Sequence, residues 1–207
     1  MAIDEGVIKF HCQWIQGRSP DPELIADLMQ WRERLYQAGL IGAYPNGIGF
    51  GNISQRVSTS NQFIITGTQT GCLPRLSHND YTLVTTFDLG QNTLTCVGQV
   101  KASSESLTHA AIYHCQPWVM GIIHVHHRRL WEQLLFQVPT TRADVPYGTP
   151  QMAGEMERLF REEDLATRKI LVMAGHDDGV MTIGHSLDEA GELLLGVVAD
   201  LMEATTS

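Results

Sequence analysis

The stretch GIIHVHH, residues 121–127, constrains this chain most. Apolar residues run from Trp118 to Ile123 and lead straight into three imidazoles, His124, His126 and His127. A run this apolar reads as a strand covered on both faces. Side chains alternate along a strand, so His124 and His126 project from one face and His127 from the other. Two imidazoles on one face at a strand end can chelate one metal ion. Zn2+ is the leading candidate, because it takes neutral imidazole nitrogen readily. The competing reading is a strand that leaves the core with its histidines solvated. His127 is expected to be structural or exposed.

The segments around that strand give the expected architecture. SPDPELIADLMQWRERLYQAGLIG predicts a helix, with Asp21 as cap, Pro22 in the first turn, and Leu24, Leu28, Trp31 and Leu35 as its apolar stripe. Gly39 is placed to stop it. AYPNGIGFGNIS reads as turn and loop. Strands are expected at 62–66, 81–87 and 93–97. A helix follows over 103–115, with Ser104 as cap and Leu107, Ala110, Ala111 and His114 on one face. A second helix starts at Thr149-Pro150 with Met152, Met156, Leu159 and Phe160 inward. KILVMAGHDDGVMTIG predicts two strands around a polar turn. A last helix starts at Ser186, with Glu189 in capping-box spacing. Helices at both ends and strands in the middle favour a helix-covered mixed or antiparallel sheet in one domain over 1–207.

Composition removes several classes of function. Fourteen Lys and Arg stand against 23 Asp and Glu, a net charge of −9, with Arg128-Arg129 as the densest basic pair. General nucleic-acid binding is not expected. The four cysteines are scattered without a C-x-x-C, which suits reduced thiols in a cytoplasmic protein. MAIDEGVIKFHCQW lacks the apolar core of a signal peptide, and no run of 18 apolar residues suggests a membrane span.

Two further groups of residues could carry chemistry. Glu105 follows Ser103 and Ser104 at the expected helix start, where the helix dipole favours an ionised carboxylate. Near a metal it could act as acid or base; alone it is an ordinary first-turn acid. GFGNIS (49–54) and TGTQTG (66–71) combine glycine with small polar residues. Their backbone N–H groups, with those at Ser103-Ser104, could cradle an anion. Neither matches a P-loop or a dinucleotide fingerprint.

The order of these pieces resembles the class II aldolase/adducin family. G-N-x-S comes first, then T-x-x-x-T-G, K-x-S-S-E, H-x-H, and a late H-x-x-G, over about Ile25 to Leu201. The resemblance implies an α/β fold with three α/β/α layers around a largely antiparallel mixed sheet. It makes His124 and His126 paired metal ligands and Glu105 the catalytic acid/base. It gives Gly51, Asn52, Thr70, Gly71, Ser103 and Ser104 to the substrate phosphate. It implies one divalent transition metal per chain, most simply Zn2+, a small carbohydrate substrate, and a homotetramer with sites at subunit boundaries.

The implied chemistry is reversible aldol cleavage through a metal-stabilised enediolate. Epimerisation, dehydration and decarboxylation fit the same site, and an adducin-like, non-catalytic binding or assembly role is the alternative of another class. A zinc hydrolase is a further possibility, but no H-E-x-x-H is present. His176 is the expected third ligand. Aligning on Gly179 instead places Asp178 where the family's histidine stands, so Asp178 is the rival. Ala102 replaces a common proline, and Tyr147 lies downstream of the pair without a matched family position.

Overall fold

The stretch that ends in imidazoles is a strand whose six residues, Gly121–His126, are all buried. In the computed structural model, which describes residues 6–206, it lies inside an eight-stranded sheet. In chain order the elements are as follows. β1 (His11–Gln16) leads to a 3-10 turn (Pro22–Ile25) that runs into α1 (Ala26–Gln37). A small hairpin, β2 (Gly42–Ala43) and β3 (Gly49–Phe50), precedes β4 (Asn52–Arg56), β5 (Phe63–Thr66), β6 (Tyr81–Asp88) and β7 (Thr93–Gly98). Next come α2 (Ser106–Cys115), β8 (Gly121–His126), α3 (Arg128–Leu134), α4 (Pro150–Glu162) and the one-turn α5 (Leu165–Arg168). β9 (Ile170–Val172), β10 (Gly179–Gly184) and α6 (Leu187–Thr206) follow.

The sheet order is β1-β7-β6-β5-β4-β8-β10-β9. Every neighbouring pair is antiparallel except β1 and β7. Helices cover both faces. Ile122, Met181 and Ile183 pack with Leu107 and Ala111 of α2 and Met152, Met156 and Leu159 of α4. Ile123, Val125 and Val180 pack with Leu28, Trp31 and Leu35 of α1 and Leu194 of α6. This is the expected three-layer arrangement. Alternation along β8 puts His124 on the side of Ile122, which is the α2 side.

Local chemistry sets the helix ends. Thr149 accepts the Met152 N–H, with Pro150 in the first turn of α4. Ser186 Oγ accepts the Glu189 N–H, but the Glu189 carboxylate takes the N–H of His185 instead of completing the capping box on Ser186. Asp21 caps the 3-10 turn, not α1 itself. That tighter period swings Leu24 out of the expected stripe, and it is 57% exposed. α2 starts at Ser106, later than expected. Ser104 is not its cap, because the Ser103 carbonyl accepts the Ser106 N–H and hydroxyl in a turn just before it. His114 is exposed, whereas Ser106–Tyr113 are buried throughout.

Two strands depart from the sequence expectation. β4 falls partly in the segment read as a loop, because its α2-facing residues, Asn52, Ser54 and Arg56, are polar. β1 is an edge strand whose outward face carries the exposed Ile15 beside the half-buried Trp14, so the apolar–polar alternation of its sequence is broken.

Candidate metal centre

Three separate elements converge at one end of β8. His124 and His126 stand on β8, Glu105 immediately precedes α2, and His176 lies in the turn from β9 to β10. One ligand atom from each of the four lies within 4.8 Å of every other. His124 Nε2 is 3.0 Å from His126 Nε2. Glu105 Oε1 is 3.1 Å from His124 Nε2 and 2.8 Å from His176 Nε2. Glu105 and His124 are fully buried, and His126 and His176 nearly so.

Burial alone would raise the Glu105 carboxyl pKa. The facing His124 and His176 rings override that and hold it well below the usual carboxylate range. Burial, then the neighbouring His176 and His124, keep the His126 imidazole well below its ordinary value. The site therefore holds Glu105 as a carboxylate and His126 as a neutral imidazole, the forms that face a metal.

The packing suits a cation. Two nitrogens each about 2.1 Å from one tetrahedral ion stand about 3.4 Å apart, close to the His124–His126 spacing. Three imidazole nitrogens and one carboxylate oxygen form a donor set that suits Zn2+. Tyr44 backs the group: its hydroxyl is 2.7 Å from His126 Nδ1. With Nδ1–H donating to that oxygen, the Nε2 lone pair is left for the centre. The Tyr147 ring packs against His176 at a 50° tilt, with ring centroids 4.6 Å apart.

His176 is brought to the group and Asp178 is not. The turn closes through His176 N–H to Met173 O and Gly179 N–H to His176 O. Asp178 sits at φ +69 and its carboxylate points to Arg128, 3.4 Å away. His127 is structural: its Nδ1 accepts the Leu130 N–H and caps α3.

The small-residue segments meet beside the cluster. Asn52 is the register partner of His124, and Gly51 precedes it at φ +79. Gly67 bridges to Ala102, and the Thr68 N–H donates to Lys101 O at 2.9 Å, joining the 66–71 loop to the Ser103-Ser104-Glu105 segment. Thr70, Ser103 and Ser104 are buried there. The Ser103 hydroxyl accepts the Glu105 N–H at 3.4 Å.

Buried Arg32 donates to the carbonyls of Thr70, Gly71 and Pro74. A trans peptide points C=O and N–H opposite ways, so this turns the N–H groups of Gly71 and Cys72 away from Arg32. That orientation suits an anion cradle. Sequence reasoning missed Arg32 and Tyr44, which lie outside the glycine-rich and histidine-rich signatures.

Residues 27–199 match the family model for the class II aldolase and adducin N-terminal domain. The chain belongs to the class II aldolase/adducin family. Solved structures carry the same fold. L-fuculose-1-phosphate aldolase from Thermus thermophilus is 22% identical, covering 90% of this chain and 94% of that one, with a TM-score of 0.64. A sugar-phosphate aldolase from Thermotoga maritima is 16% identical, covering 89% and 95%, with a TM-score of 0.60. YgbL from Klebsiella pneumoniae, whose description leaves aldolase, epimerase and decarboxylase open, is 20% identical, covering 89% of each chain, with a TM-score of 0.65. Among the described residues, no helix is long and apolar enough to cross a membrane.

Proposed function

We propose that this protein is a metal-dependent lyase that reversibly cleaves a small, phosphorylated sugar between two carbons by retro-aldol chemistry. The observation that carries the reading is the buried convergence of Glu105 with His124, His126 and His176 beside three small-residue segments. His124, His126 and His176 hold the metal, taken as Zn2+. The bound ion supplies Lewis-acid polarisation of a substrate carbonyl.

The protein's own groups do the rest. The Glu105 carboxylate takes the proton from the hydroxyl on the carbon that becomes the aldehyde. It returns a proton to the carbon that keeps the electron pair. Gly51, Asn52, Thr70, Gly71, Ser103 and Ser104 grip the phosphate at a distance from the broken bond, so its binding energy orients the reacting end. Burial of the cluster excludes bulk water from the proton transfer.

Epimerisation, dehydration and decarboxylation would use the same grip and the same carboxylate. The substrate's own bonding chooses between them. An adducin-like scaffold needs neither a buried carboxylate nor three converging imidazoles. As in relatives by resemblance, the working form is taken to be a cytoplasmic homotetramer.

The test is elemental analysis of protein purified without a tag or added metal, followed by a screen of sugar phosphates for aldehyde release. About one zinc per chain with cleavage of at least one sugar phosphate is expected. Absence of metal even after incubation with Zn2+ would overturn the reading.

A further inference from the structure

Behind the cluster runs a hydrogen-bonded chain that the proposed reaction has not used. His109 lies in the first turn of α2, and its backbone N–H donates to the carbonyl of Glu105, the residue before the helix, at 3.1 Å. It is fully buried. Its Nδ1 is 2.7 Å from Ser54 Oγ, and Ser54 Oγ is 2.8 Å from the Tyr113 hydroxyl. Its Nε2 is buried without a hydrogen-bond partner among the described residues. On the other side, Glu105 Oε2 is a buried acceptor that no donor reaches among the described residues.

Counting protons fixes the direction of this chain. The hydroxyl of Tyr113 is paired with Ser54. If His109 donated from Nδ1 to Ser54, either the serine proton or the phenol proton would have no acceptor. A buried stranded donor costs about 1–3 kcal/mol. Both hydroxyl protons find acceptors only when Tyr113 donates to Ser54 and Ser54 donates to His109 Nδ1. The ring then carries its own proton on Nε2, where it calls for an acceptor.

We infer that His109 is a positioning residue, a neutral Nε2–H tautomer locked from behind by Ser54 and Tyr113, that donates to the Glu105 carboxylate and fixes its orientation toward the three histidines. Asn52 Oδ1, Thr82 Oγ1 and His124 Nδ1 are also buried without a partner among the described residues on this face of the sheet. An ionised carboxylate accepts more strongly than a neutral amide, which favours Glu105. The inference rests on the proposed role of Glu105 and deepens it: the acid/base is aimed by a group sequence motifs do not mark.

Two-bond 1H–15N NMR on 15N-histidine-labelled apoprotein tests the tautomer. His109, assigned by its loss in His109→Gln and its response in Ser54→Ala, should be Nε2–H across neutral pH. Ser54→Ala should release it into a tautomer mixture. Its Nε2–H proton should shift in Glu105→Gln and stay put in Asn52→Ala. An Nδ1–H or doubly protonated ring in the wild type, or a response to Asn52→Ala alone, overturns the inference. Turnover reads the consequence. His109→Ala should lower kcat on any cleaved sugar phosphate about 10- to 100-fold at unchanged Co2+ affinity, with part of the loss recovered by the amide donor of His109→Gln. Equal kcat in all three overturns the positioning role. Wild type that cleaves no sugar phosphate removes the aldolase reading, while the NMR still decides where His109 donates.

Discussion

A methyl group on the Gly179 Cα would lie 2.8 Å from Cδ2 of His176. It would also lie 3.2 Å from Cε1 of His124. The glycine that opens β10 therefore leaves the room in which two of the imidazoles sit. Gly179→Ala should separate them. Bound zinc, measured by elemental analysis, should drop well below wild type, while circular dichroism keeps the helix and sheet content. Full zinc occupancy in a folded Gly179→Ala protein would remove this packing argument.

Glu105→Gln keeps the shape of the side chain and removes its proton chemistry. The three histidines remain, so metal content should match wild type. Turnover on any cleaved sugar phosphate should fall about a hundred- to ten-thousand-fold. Unchanged turnover would sink the acid/base role.

Arg32 stabilises carbonyls, not a carboxylate: its donors reach Thr70, Gly71 and Pro74. Arg32→Met leaves those carbonyls short of partners and should cost about 1–3 kcal/mol in denaturant melts. It should also let the 66–71 loop relax. The expected kinetic signature is a rise in KM for a phosphorylated substrate larger than the change in kcat. A loss confined to kcat would place Arg32 elsewhere in the mechanism.

Burial pushes the His109 imidazole from 6.5 down to about 3. Between those values the unfolded chain binds a proton that the folded one does not, so stability rises with pH across this window. Acidification below about 6.5 should remove it at up to about 1.4 kcal/mol per pH unit. Urea melts of the apoprotein at neutral and mildly acidic pH check this, with His109→Gln expected to show a shallower slope. The same slope in both proteins would mean that other groups carry the acid sensitivity.

The parts of the site legible in the sequence are those whose chemistry is also local. His124 and His126 are marked by strand alternation, whereas Glu105 alone reads as an ordinary first-turn acid and is drawn to the site by the resemblance of its S-S-E segment. His176 was open against Asp178, because spacing alone does not say which residue of a turn points inward. Hydrogen bonds within the turn and the pull of Arg128 on Asp178 decide that, and both are tertiary. The sequence of β4 reads as loop for a related reason. Its inward face carries Asn52, Ser54 and Arg56, so the strand that lines the site has the polarity of a turn. Arg32 and Tyr44 act on backbone and imidazole atoms far away in sequence, which no short motif encodes.

The four converging groups come from positions 105, 124, 126 and 176, on three elements that only the finished sheet brings together. An unfolded chain offers at most the local H-x-H pair. A cation held by His124, His126 and His176 would thus discriminate sharply between folded and unfolded protein, adding RT ln(1 + [M]/Kd) to the unfolding free energy. At a hundredfold excess over Kd that is about 2.7 kcal/mol. Metal supply would then set how much of this protein survives heat, proteolysis and turnover, quite apart from the reaction it runs.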